Sequence, residues 1–167
     1  VSGAVWTVGA YMDALKANLI QRLEDAGELE QDWAPEVLAA PVSDKELPKE
    51  AIVLIRARAD EEAAALGGRR NEEEYVIEGA IQTRAILGEQ TPPEAAAKEA
   101  RDRALVLLGY VEAEVRLNPN QASLDGFRSA TVVGKTLDQL VEPGGGGRIC
   151  VIGFDVRVKT RTSVTGP

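Results

Sequence analysis

The chain reads as an α+β domain in which long helices are layered on a β-sheet. Three observations predict this. The periodic segments come in the order long helix, short strands, charged loop, strand, long helix, long hairpin. Apolar residues make up 44% of the 167, yet only two Phe, two Trp and three Tyr are among them. Ala, Val and Leu must therefore fill the interior, which suits thin layers of helix on sheet. The length is that of a single domain, 1–167, able to bury an ordinary core without staples.

From Val5 to Ala26 the spacing predicts an amphipathic helix. Val8, Tyr11, Met12, Leu15, Leu19 and Leu23 recur at three- and four-residue steps, Asp13, Lys16, Arg22 and Glu24 take the other face, and Gly27 is the stop. Pro35 and Pro41 bracket Glu36-Val37-Leu38-Ala39-Ala40, a short run that fits an edge strand, where a missing amide donor is tolerated. Ala51–Arg58 is a strand inside the sheet, because Ile52-Val53-Leu54-Ile55 is apolar on both faces and largely β-branched.

Asp60–Glu74 is too polar and too glycine-marked for a packed element and reads as a long flexible loop. Glu74–Leu87 alternates as a strand: Tyr75, Ile77 and Ile81 on one face, Glu78, Gln82 and Arg84 on the other. Thr91-Pro92-Pro93-Glu94 matches a capping box with Thr91 as N-cap. The helix it opens runs to Leu117 with Ala97, Ala100, Ala104, Leu108, Val111 and Val115 as its buried stripe, flanked by Leu105 and Leu107.

Phe127–Val141 and Arg148–Thr162 form a hairpin with its tip at 142–148. Cys150, Ile152, Phe154, Val156 and Val158 point one way; Asp155, Arg157 and Lys159 point the other. A strand of this length spans ~46 Å, against a body diameter of roughly 40 Å. One end of the hairpin is therefore expected to project, and an exposed, partly apolar edge calls for a partner to cover it.

The residue inventory restricts the chemistry. There is no histidine, so the commonest general base and transition-metal ligand are missing, and a Ser-His-Asp triad is impossible. The single Cys150 excludes an internal disulfide and falls on an apolar strand face, where a thiol packs as a small hydrophobe. Gly144–Gly147 is followed by Arg148-Ile149-Cys150 and a strand, not by the lysine and helix of a phosphate-binding loop. Leu66-Gly67-Gly68-Arg69-Arg70 offers amides and two guanidiniums to an anion, and also reads as a solvated loop.

Asp60-Glu61-Glu62 and Glu72-Glu73-Glu74 lack the ligand spacing of a calcium loop and read as solvated charge runs. Trp6 and Trp33 read as core or interface anchors. A net charge of −8 opposes non-specific binding to nucleic acid. No run reaches the ~20 apolar residues of a membrane span, and the first dozen residues lack a basic n-region, so neither membrane insertion nor secretion is expected. No catalytic, cofactor-binding or metal-binding residue is expected.

The order and spacing of these segments resemble the tail terminator proteins of long-tailed bacteriophages. The resemblance runs through Val5–Leu23, Glu36–Pro41, Ala51–Arg58, the Leu66–Arg70 loop feeding Glu74-Tyr75-Val76-Ile77, the helix Glu94–Leu117, and the hairpin ending in Ile152-Gly153-Phe154-Asp155-Val156-Arg157-Val158. It implies an α+β fold with a mixed or mostly antiparallel sheet. It also implies a structural virion protein, assembled in the bacterial cytoplasm into a hexameric ring. That ring caps the tail tube and joins it to the head-neck connector or stopper protein, and DNA passes through it without specific binding.

Ring closure needs two different patches per subunit. The candidates are the Asp60–Glu74 loop, with Arg69, Arg70 and Glu74, and the hairpin, with Arg148, Arg157 and Lys159. Two other readings stay open: another head–tail connector, stopper or minor tail protein, and a non-viral ligand-binding α+β domain with a closed apolar pocket.

Overall fold

A computed structural model of the chain describes residues 7–41, 49–59 and 72–161. It is an α+β architecture: two helices packed on a mixed five-stranded sheet. The helices are α1 (Val8–Asp25) and α2 (Pro93–Leu117). The strands are β1 (Glu36–Leu38), β2 (Glu50–Ala59), β3 (Glu72–Ile86), β4 (Phe127–Val141) and β5 (Gly147–Arg161), in the spatial order β1-β2-β3-β5-β4. β1 runs parallel to β2, while every other neighbouring pair is antiparallel.

The period of two in β3 and β5 is realised in register. Tyr75 faces Val158, Ile77 faces Val156, Ile81 faces Ile152 and Thr83 faces Cys150. This row forms one core with Ile52 and Leu54 of β2 and with the buried stripes of both helices. α1 buries Val8, Tyr11, Leu15, Leu19 and Leu23 as its spacing predicts, and ends where Gly27 takes a left-handed φ of 75°.

Where the cross-strand pair is Gly79 and Phe154, the aromatic ring lies over the glycine. Tyr11 meets Tyr75 edge to face, its centroid 6.3 Å away, and its hydroxyl donates to the Pro119 carbonyl at 2.8 Å.

Several expectations need correction. The strand expected from Glu74 starts two residues earlier: Glu72 and Glu73 belong to β3, not to a loop, because Arg161 and Thr160 of β5 stand opposite them. The remainder of that loop, including Arg69 and Arg70, lies outside the described residues, as does Trp6.

Thr91 is not the N-cap of α2. A residue preceding proline is pushed into extended backbone, so Pro92, at φ −65° and ψ 151°, stops the helix at Pro93, and no side chain caps it. The buried stripe starts at Ala96, not Ala97, and Leu105 is exposed. Trp33 is not in the core; it is 54% exposed, with the Lys49 ammonium 4.8 Å from its ring centre.

The hairpin does not extend past the body along the strands. β3 accompanies β5 from Glu72 opposite Arg161 to Ile86 opposite Gly147, and the Leu87 amide donates to the Gly146 carbonyl at 3.1 Å. What stands clear is its outer strand, β4.

Candidate assembly surfaces

β4 is an edge strand of fifteen residues, and Lys135–Val141 is exposed throughout. Two irregularities interrupt its pairing with β5, one at Arg128 and one across Gly134 and Lys135, where Gly134 holds φ 62°. Bulges of this kind bend an edge and discourage another strand from pairing there. Beyond them, Thr136–Val141 pairs without interruption. That stretch carries Leu137, Leu140 and Val141, which are 41%, 51% and 62% exposed.

The first half of β4 faces α2 across an open groove of about 500 Å³. Val115, Pro119, Phe127, Ala130 and Val132 give it an apolar lining, and Arg116 and Arg128 stand beside them. Glu112, also in the groove, accepts a hydrogen bond from the Lys135 ammonium at 2.6 Å.

No described helix packs on the other face of the sheet, which carries a lattice of charges. Glu74 meets Arg157 at 3.0 Å and Lys159 at 3.6 Å. Glu78 pairs with Arg56 and, at 3.5 Å, with Arg58. Hydrogen bonding from Arg56 holds the Glu78 carboxyl below its ordinary value. At the hairpin turn, Arg84 pairs with Glu142 at 2.8 Å.

The structure thus brings together three of the six residues predicted for subunit contact: Glu74, Arg157 and Lys159. They are partnered with one another, so the reading of Glu74 as a solvated charge does not hold. Arg148 sits apart from them, nine residues along β5 and hence about 30 Å away, in the row that faces the helices. Its guanidinium donates to the Gly147 carbonyl at 2.9 Å.

Sequence reasoning missed the polar seam between the helices. Arg103 of α2 is clamped by Glu28 at 2.7 Å and by Glu50 at 2.8 Å, and the Tyr110 hydroxyl donates to Glu28 at 2.9 Å. One turn further along, Arg22 of α1 meets the buried Glu114 at 2.6 Å. A shallow polar hollow of about 410 Å³ opens beside that second pair, lined by Asn18, Arg22, Tyr110 and Glu114 among others. The sequence signal was faint: Glu114 falls in step with Val111 and Val115 on an otherwise apolar stripe.

Cys150 is buried in the core, and burial pushes its thiol up from the ordinary value. Among the described residues, no three acidic or cysteine side chains are grouped to hold a metal ion. No described helix is long and apolar enough to cross a membrane. Compared with known proteins, the chain matches no family model, and no curated protein matches it significantly.

Proposed function

We propose that this chain is a structural virion subunit, a tail terminator that closes the tail tube of a long-tailed bacteriophage as a ring and joins it to the head-neck connector. The observation that carries the reading is the β4 edge. It is a fifteen-residue border strand with no further strand beside it among the described residues, and its outer half presents three large apolar side chains to solvent. An edge of that length and composition is stable in solution when a partner covers it.

The element order shared with the tail terminators supports this station at the tail end, and a net charge of −8 suits a channel through which DNA must slide. The charge pairs of the sheet face tie neighbouring strands to one another across β2, β3 and β5.

Sedimentation equilibrium of the purified chain, with negative-stain imaging in the presence and absence of tail tubes, tests the reading. The expected result is a closed ring of subunits, of which the hexamer is the predicted size, seated on tube ends. A ring that binds the head-side connector and ignores tubes moves the protein to another station in the neck. A dispersed single subunit at high concentration refutes assembly altogether.

A further inference from the structure

We infer that β4 supplies both halves of the contact between neighbouring copies of this chain. The outer half of β4 in one copy, Thr136–Val141, seats in the groove between α2 and Phe127–Val132 of the next. This deepens the ring reading and rests on it for the head-to-tail arrangement alone.

Three observations point to a second copy as the occupant. The groove is apolar inside and carries two guanidiniums, Arg116 and Arg128, that make no ion pair among the described residues. The outer half of β4 is its counterpart: Asp138, exposed and likewise without an ion pair among the described residues, shares one face with exposed Leu140, and Leu137 and Val141 are exposed on the other face. An apolar segment with an embedded carboxylate fits an apolar groove with free guanidiniums, and an Arg–carboxylate hydrogen bond adds direction to the contact.

The backbone adds the third. Thr136–Val141 is the longest stretch of β4 that pairs with β5 uninterrupted, so it presents a regular edge to its neighbour.

The bulges disfavour a twofold arrangement. Two β4 edges laid antiparallel about a twofold near Val133 would fill both grooves at once and stop at a dimer. The irregularity at Gly134 and Lys135 lies on that axis and bends the strand there. Under the ring reading the contact is heterologous, and a heterologous contact whose rotation closes makes a ring.

A charge-swap cycle on the full chain tests this, with sedimentation velocity as the readout and circular dichroism as the check on folding. Asp138→Arg and Arg128→Asp are each expected to weaken self-association by at least about tenfold, and the double swap to restore most of it. Leu140→Glu should weaken association with no rescue by either swap. Lys98→Glu, on the same face as Arg116 but about five turns away near the start of α2, should leave it unchanged.

Wild-type rings that survive all of these substitutions overturn the contact and leave the ring standing. Folded single variants that dissociate but are not rescued by the double swap also overturn it. A wild-type dimer broken and rescued by the same swaps keeps the contact and overturns the ring. A wild-type monomer overturns both.

Discussion

Arg103 joins three parts of the fold that are distant in sequence, because its guanidinium reaches Glu28 after α1 and Glu50 at the start of β2. Hydrogen bonds from Arg103, and then from Tyr110, outweigh burial and hold the Glu28 carboxyl below its ordinary value of 4.5. A carboxylate with a lowered value in the folded state contributes stability above its unfolded value and loses it as the pH falls through the folded one. The urea midpoint of the wild type should therefore drop as the pH falls below Glu28's ordinary value of 4.5, and that of Glu28→Gln should drop less. Equal slopes would assign the acid sensitivity to other carboxylates.

Gly79 makes the second prediction at this scale. A Cβ there would overlap the Phe154 ring, and that ring is fully buried. Gly79→Ala should cost about 1–3 kcal/mol in denaturant unfolding, and Gly79→Ala with Phe154→Leu should recover part of it. A neutral Gly79→Ala would mean that the ring moves aside freely.

Among the elements, α2 separates what caps a helix from what merely resembles a cap. Because Pro92 holds the N-cap position, the Thr91 side chain contributes no capping hydrogen bond. Thr91→Ala should thus change stability by less than about 0.5 kcal/mol, whereas loss of a true cap costs about 1 kcal/mol. Further along, Gly109 sits on the exposed face with open space where its Cβ would be. Gly109→Ala should stabilise the chain by about 0.8–1 kcal/mol through helix propensity. Both values come from urea titrations at one pH. A larger loss at Thr91, or any loss at Gly109, would show that a neighbour absent from the described residues rests on that face.

At the scale of the whole molecule, the described helices pack on one side of the sheet. Among the described residues, both helices cover one face of the sheet, the opposite face carries charge pairs beside the buried Val53 and Val76, and β4 is a border. A protomer shaped this way gains stability from its neighbours by mass action. The apparent Tm should accordingly rise by a few degrees, roughly, for each tenfold increase in protein concentration. The Leu140→Glu variant should show a flat dependence, whereas a flat wild-type dependence would mean that the protomer stands alone.

Much of the fold was legible in the residues. The threefold-and-fourfold steps of α1, the alternation of β3 and β5 and the limits of β4 all follow from local rules, because side-chain direction repeats with a period set by the backbone alone. The charge pairs and the groove were not legible. Glu74 looks solvated until β5 sets Arg157 and Lys159 beside it, and Glu28, Glu50 and Arg103 have no common motif. Periodicity tells which way a residue points, whereas strand order and helix placement decide what it meets. By itself, then, the sequence determined the elements, the apolar faces and the absence of histidine chemistry. Only the tertiary structure decided that β4 borders the described sheet and that three of the six predicted contact charges, Glu74, Arg157 and Lys159, already have partners, since each depends on residues brought together across the fold.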